Sequence, residues 1–227
     1  KGRLGTQPRI VFWCGKSWEA WYPDSPHTTG IGGSETAVIE IAKRFAQDGW
    51  TVDVYNGAER FEGIYGDRLG ERGVGYWDTT REVGKADVVV SWRQPQAHQI
   101  RPDGDRTILW CHDLHYGPVI EEDLFFWDKV LGVSRWHADM LQRYYDLGVK
   151  LDGQDAHADF VPNGVNLERF DPSIKKVPYR CVYASSADRG LVKLLSYWPE
   201  IREVFPDAEL HVAYGWETMD RMIRGGR

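Results

Sequence analysis

Short apolar runs alternate along the chain with segments of helical periodicity. The run at residues 9–15 (RIVFWCG) is closed by glycine, as expected for a buried parallel strand, and residues 51–55 (TVDVY) form the next such run. Between them, apolar residues recur at i, i+3, i+4, i+7 and i+8 from Val38 to Ala46. This spacing predicts a helix that ends at Asp48 and Gly49.

The same alternation continues to the end of the chain. Further strands are predicted at ADVVVSW, TILWCHD, KVLGVS, HADFVPNG, YRCVYAS and ELHVAYG, and further helices at RWHADMLQRYYDLG, ending on Gly148, and at RGLVKLLSYWPEIREVF. A glycine-rich region with a weaker pattern lies before Gly84. The order of elements predicts an α/β fold with a doubly wound, parallel, Rossmann-like sheet and crossover helices.

A polar connector interrupts this order after the first run of strands. The segment FDPSIKKVPYR contains Pro172 and Pro178 and precedes a fresh strand. We interpret it as a hinge between two domains, residues 1–173 and residues 174–227. The second holds about two strands and a helix, so we expect the start of a truncated Rossmann-like domain. A single domain whose last strands join the first sheet is the alternative.

Composition narrows the classes of partner. The net charge is −6, and no apolar run approaches the roughly 20 residues of a membrane span. The negative net charge disfavours nucleic acid as a partner, because nucleic acids and anionic membranes bind to basic protein surfaces. For the same reason we expect membrane association to be at most peripheral. Cys14, Cys111 and Cys181 sit singly in apolar runs, which indicates buried free thiols. We therefore expect a cytoplasmic protein.

A glycine-rich segment, GIGGSE, opens the first predicted helix. Its register excludes the dinucleotide fingerprint, because Glu35 stands where the third glycine would fall, and no Walker lysine follows. Two interpretations remain. The loop brings free N–H groups and a helix N-terminus to a ligand, or its glycines only supply a positive φ at a turn.

Four segments together resemble the retaining GT-B glycosyltransferases of the family 4 type. They are GIGGSETAVIEIAKRFAQDGWTVDVY, LGVSRWHADML, FVPNGVNLERFDP and YASSADRGLVKLLSYWPEIREVFPDAELHVAYG. The third is similar to the interdomain signature of that family and is the most specific match. The resemblance covers nearly the whole chain. It implies transfer of a sugar from a nucleoside diphosphate with retention of the anomeric configuration.

The resemblance also implies roles for single residues of the N-terminal half. Gly32 and Gly33 would approach the donor diphosphate or sugar. His112, at the end of the predicted strand TILWCHD, matches the histidine that contacts the transferred sugar; a structural histidine capping the strand is the alternative. The cluster of His112, Asp113 and His115 is a weak metal candidate, because these enzymes need no bound metal and no fourth ligand is evident. We expect no cofactor beyond the nucleotide-sugar substrate.

In the C-terminal half, the resemblance points to the diphosphate. Arg189 falls where the family has the lysine of its diphosphate-binding pair, and guanidinium suits phosphate oxygens. Ser185 and Ser186 would add donors, and Lys193 either helps or is only solvated. Ala184 replaces the upstream arginine of the family, so the diphosphate would be held by fewer cations. The acidic segment that holds the donor ribose has no counterpart before residue 227, so we expect this chain to bind a complete donor weakly or not at all.

Aromatic residues of the first long loop are the acceptor candidates. Trp18, Trp21 and Tyr22 would stack on a sugar ring or simply pack within the loop. We expect a sugar or acceptor, more than phosphate, beside Glu35, because a carboxylate repels phosphate. The strand tryptophans are assigned to the core: Trp13, Trp92 and Trp110.

Two other function classes stay open. A non-catalytic sugar- or nucleotide-binding module fits a chain whose donor half is incomplete. A Rossmann-type sugar-nucleotide oxidoreductase or epimerase is disfavoured by the glycine register and by the absence of a Tyr-x3-Lys pair. Binding of NAD(P) distinguishes this last class from a glycosyltransferase.

Overall fold

A computed structural model describes most of the chain. The described residues are 7–17, 20–28, 30–58, 61–66, 73–96, 103–116, 123, 126–145, 147, 158–213, 220 and 223–224. Internal contacts divide the chain into two compact units, Lys1–Gly164 and Val165–Arg227. The division falls before the boundary predicted after residue 173, and each unit is described by itself.

One mostly parallel sheet forms the centre of the first unit. Its strands are β1 (Arg9–Trp13), β2 (Thr51–Tyr55), β3 (Gly63–Tyr65), β4 (Val74–Trp77), β5 (Ala86–Trp92), β6 (Gly104–Trp110), β7 (Lys129–Gly132) and β8 (Ala158–Phe160). Their spatial order is β3-β4-β2-β1-β5-β6-β7-β8, and of the strand pairs that the structure describes only β3–β4 is antiparallel. The chain runs outward from β1 in one direction and then from β5 in the other. The order of strands therefore reverses between β1 and β5.

Helices cover both faces of this sheet. Those within the described ranges are α1 (Ser25–Thr28), α2 (Gly33–Gln47) and α3 (Arg135–Tyr144). Val38 and Ala42 of α2 lie in the core on one face with Phe12, whereas Leu141 of α3 lies in the core on the other face with Val11. Adjacent residues of β1 thus point to opposite cores, as the pleat requires. The predicted α/β fold with a Rossmann-like, doubly wound sheet is confirmed.

The glycine-rich region contains two strands that the pattern did not predict. Both β3 and β4 are short, and Gly75 interrupts the apolar run of β4. A Cβ at Gly75 would collide with the side chains of Asp53 and Trp77, so the packing around the sheet requires glycine here. At the other end of the unit, α3 ends at Tyr144. The predicted end at Gly148 lies outside the described residues.

The second unit contains a small parallel sheet. Strands β9 (Arg180–Tyr183) and β10 (Glu209–Val212) pair with each other, and α4 (Leu191–Val204) connects them. Among the described strands, neither pairs with the large sheet of the first unit.

The cysteine prediction holds for two positions and is wrong for the third. Cys14 and Cys111 are buried, but Cys181 is exposed. The reason is that β9 lies in a sheet of two strands, whose residues Arg180 to Val182 are uncovered. In the first unit, the tryptophans assigned to the core are all buried: Trp13, Trp92 and Trp110. No helix among the described residues has the length and apolarity needed to cross a membrane.

Candidate functional site

Polar side chains meet at the carboxyl edge of the large sheet, where the order of strands reverses. Glu35 comes from the first turn of α2, Arg93 follows β5, and His112 and Asp113 follow β6. In open α/β sheets, ligands bind in the crevice outside the carboxyl ends of the strands at such a reversal. This position makes the group the candidate site of the first unit.

The glycine loop, residues 30–33, leads into α2 beside this group. Gly30 has a φ of 72°, whereas Gly32 has a φ of −60° and Gly33 has no positive φ. A positive φ therefore explains Gly30 only, and that alternative is wrong for Gly32 and Gly33. Gly32 is the N-cap residue, so no side chain caps the helix, and a Cβ at Gly33 would meet no atom within 4 Å. Open space therefore lies beside the backbone of Gly33.

Glu35 folds back over the start of α2. Its Oε2 accepts a hydrogen bond from Ser34 Oγ at 2.9 Å, and a Cβ at Gly32 would collide with the same carboxylate. Its Oε1 lies 3.7 Å from Nη1 of Arg93. A negative side chain at a helix N-terminus is stabilised by the helix dipole. Glu35 therefore already supplies negative charge beside the glycine loop.

Arg93 and Asp113 form a bidentate ion pair. Nε and Nη2 of Arg93 donate to the two carboxylate oxygens of Asp113 at 2.6 and 2.9 Å. The guanidinium also lies 5.0 Å from the ring centre of Trp92, within the range of a cation–π contact. Asp113 thereby joins the end of β5 to the segment that carries His112.

The imidazole of His112 sits against aromatic rings. Its ring centre lies 4.5 Å from that of Trp110, in an edge-on arrangement. Burial first, and then the positive charge of Arg93, lower the pKa of His112 from 6.5 to about 4, so the ring is neutral at neutral pH. Among the described residues, Nε2 of His112 is buried without a hydrogen-bond partner. The hydrogen-bonding capacity of this nitrogen is therefore unused in the described contacts.

Two residues that the sequence analysis did not select hold the loop of His112. The hydroxyl of Tyr116 accepts from the backbone N–H groups of His112 and Asp113, at 2.8 and 3.0 Å. Nε2 of His137 contacts the carbonyl of Asp113 at 2.9 Å, while Nδ1 accepts from the N–H of Val133. These bonds assign the proton of His137 to Nε2. Only the fold brings α3 against this loop, so spacing alone gave no signal.

The loop aromatics differ from one another. Trp21 is 1% exposed, donates its indole N–H to Ser17, and packs edge-on against Tyr76 and Trp92. An enclosed ring offers no face to a sugar, so the acceptor role of Trp21 is corrected to core packing. Tyr22 is partly exposed and stacks on Phe61 with ring centres 4.4 Å apart. Trp18 lies outside the described residues.

The remaining candidates lie in the second unit, at the carboxyl end of β9. Arg189 ends a turn of 3₁₀ helix, and Gly190, with a φ of 107°, is the N-cap residue that precedes α4. Arg189 and Lys193 are exposed, and neither pairs with a carboxylate in the part of the chain that the structure describes. Ser185 and Ser186 are half-buried in the same turn. The turn combines unpaired cations with a helix N-terminus, which suits an anion.

Comparison with protein-family models and with curated proteins gives no match, so the description of this protein rests on its fold and on the geometry of the candidate site. Within the described residues, no group of three or more His, Cys, Asp and Glu side chains is placed to hold a metal ion. The protein is an α/β protein with a Rossmann-like sheet and a candidate ligand site at the strand-order reversal.

Proposed function

We propose that the protein is a retaining glycosyltransferase of the GT-B type, which moves a sugar from a nucleoside-diphosphate sugar to a carbohydrate or other glycan acceptor. The observation that carries the proposal is that the neutral ring of His112, at the carboxyl edge of β6, has a buried Nε2 without a hydrogen-bond partner among the described residues. The resemblance of four sequence segments to family 4 supports the same function.

The charges of the first unit suit a neutral sugar. Glu35 and Asp113 are both negative, and Arg93 offsets only one of them. The surplus negative charge opposes a phosphate at this place, whereas uncharged hydroxyl groups bind to carboxylates and imidazole by hydrogen bonds. We therefore assign this edge to the transferred sugar or to the acceptor.

The turn of the second unit suits the diphosphate. Arg189 provides a planar set of donors for phosphate oxygens, and the hydroxyls of Ser185 and Ser186 and the N–H groups at the start of α4 add to it. Donors and positive charge placed there stabilise the negative charge that develops on a departing diphosphate. Lys193, one helical turn farther on, adds a second cation.

His112 and the glycine loop of the first unit then have roles in transfer. His112 donates or accepts a hydrogen bond at a hydroxyl of the transferred sugar and orients it. Because the ring is neutral, it adds no charge that would repel the oxocarbenium-like transition state of glycosyl transfer. Gly33 has open space where a side chain would stand, so the sugar or the acceptor can approach the backbone at the start of α2.

The proposal is tested on the protein expressed from its complete reading frame. We would incubate it with UDP-, GDP-, ADP- and dTDP-sugars and measure release of the nucleoside diphosphate, including slow donor hydrolysis without acceptor. His112→Ala should lower turnover about 100-fold or more, as for loss of a positioned polar group. The matched control is His115→Ala, because His115 is exposed and packs only on Tyr144 in the described contacts.

The outcomes separate the function classes. Release of nucleoside diphosphate by the wild type and its loss in His112→Ala support glycosyl transfer. Binding of a nucleotide sugar without turnover would instead indicate a binding module. Fluorescence-detected binding of NAD(P) without nucleotide-sugar turnover would indicate an oxidoreductase or epimerase. Retained activity in the His112→Ala variant would show that the histidine has a structural role and no role in transfer.

A further inference from the structure

Arg93 has an unusual backbone for its residue type. It follows β5 directly with a φ of 60°, in the left-handed region that residues other than glycine rarely adopt. Its N–H donates to the carbonyl of Trp110 at 3.0 Å, so the strained residue is bonded to the end of β6. Such strain persists only where the surrounding structure enforces it, and it is concentrated at functional sites.

The side chain of Arg93 spans two loops. On one side it holds Asp113 through two hydrogen bonds, and on the other it lies 3.7 Å from Glu35. The ring of Trp92 makes a cation–π contact with the same guanidinium. A planar, bidentate pair fixes orientation as well as distance. We call this arrangement the Glu35–Arg93–Asp113 bridge.

The bridge ends on the two loops that carry the site. Glu35 belongs to the first turn of α2 and lies over Gly32, at the end of the glycine loop. Asp113 is the neighbour of His112 within the His112 loop, residues 111–116. The backbone of this loop is already held from the opposite side by Tyr116 and His137. Only the bridge connects it to the glycine loop among the described contacts.

We propose that Arg93 is a positioning residue that keeps the glycine loop and the His112 loop at a fixed spacing through Glu35 and Asp113. Among the described hydrogen bonds and ion pairs, no other links the two loops, so we expect the position of His112 relative to the start of α2 to depend on this guanidinium. Its effect on turnover rests on the proposed glycosyl transfer. Its effect on the two loops does not.

The chain contains a closely matched control. Arg81 makes the same kind of bidentate pair, with Glu62 at 2.9 and 2.8 Å, and lies 4.9 Å from the ring centre of Trp77. It follows β4, away from the glycine loop and the His112 loop. Arg81→Gly therefore removes equivalent chemistry without touching the bridge.

The first test is hydrogen exchange of backbone amides, measured by mass spectrometry. In Arg93→Gly, peptides that contain residues 30–36 and 111–116 should exchange about fivefold faster, as for loss of a partly exposed ion pair. Arg81→Gly should leave both peptides unchanged. Asp113→Ala should resemble Arg93→Gly, and the double variant should add little, because either change alone already breaks the link between the two loops. Unchanged exchange in Arg93→Gly, or full additivity, would overturn the proposal.

The second test is kinetic and uses the complete protein. Arg93→Gly should lower kcat about 10- to 100-fold with little change in donor KM, because a misplaced group costs rate more than binding. Arg93→Lys, which keeps the charge but not the planar pair, should recover part of the loss. An unaltered kcat in Arg93→Gly would overturn the positioning role. Absence of any nucleotide-sugar turnover in the wild type would refute the proposed function, and amide exchange would still decide on the bridge.

Discussion

Replacement of Gly33 by alanine separates ligand binding from folding. Gly33 is the first residue of α2, its φ is not positive, and a Cβ there would meet no atom within 4 Å. The substitution therefore introduces neither backbone strain nor a collision. A ligand that approaches the backbone of Gly33 would nevertheless meet the added methyl group.

The magnitude follows from the helix position. Alanine in place of glycine at a compatible site stabilises a protein by ~0.4–1 kcal/mol, through the lower entropy of the unfolded chain. In a protein of this size, that corresponds to an increase in Tm of at most ~2–4 °C. Gly30→Ala is the matched control: its φ of 72° makes alanine strained, so Tm should fall by ~2–4 °C.

The assay combines thermal unfolding with donor turnover by the complete protein. We expect Gly33→Ala to keep or raise Tm and to lose about tenfold or more of the wild-type rate, as for a misplaced substrate. Full activity in Gly33→Ala would refute the view that the glycine loop approaches a ligand. A fall in Tm larger than that of Gly30→Ala would refute the conformational argument.

Three further predictions concern pH, the core and the diphosphate. The pKa of His112 is lowered from 6.5 to about 4, so between these two pH values the unfolded chain binds more protons than the folded one, and the free energy of unfolding should fall as pH decreases. Urea titrations should show a shallower fall for His112→Asn. An equal slope in the variant and the wild type would contradict the assignment. Trp21→Ala should cost ~3–5 kcal/mol and lower Tm by at least ~6 °C, whereas the exposed Trp136→Ala should cost little; equal melting curves would place Trp21 outside the core. Arg189→Ala should weaken nucleoside-diphosphate binding by the complete protein about tenfold or more in calorimetry, with Arg202→Ala as control, and unchanged affinity would remove Arg189 from the site.

The apolar pattern predicted six strands of the large sheet: β1, β2, β5, β6, β7 and β8. β2 and β5 coincide with predicted runs because both faces of a central parallel strand are buried and favour continuous apolar residues. β4 was not predicted because Gly75 interrupts its apolar run. Glycine is required at this position by the packing of neighbouring side chains and not by the strand conformation. Cys181 is exposed although it lies in an apolar run, because burial depends on what covers the strand.

The candidate site could be predicted only in part. His112 was selected by its position after a strand and by a family resemblance, and the glycine loop by its spacing. Arg93 and His137 were missed, because their partners are far away in the sequence and meet them only through the fold. The burial of Trp21 could not be predicted from the sequence either, because the rings that enclose it belong to β4 and β5.

Time-resolved NMR of the anomeric proton tests the central claim most directly. The protein from the complete reading frame would be incubated with each nucleoside-diphosphate sugar, with and without candidate glycan acceptors. The account predicts release of the nucleoside diphosphate and a first product with the anomeric configuration of the donor, both lost in His112→Ala and kept in His115→Ala. Donors that remain intact throughout, or a first product of inverted configuration, would contradict it.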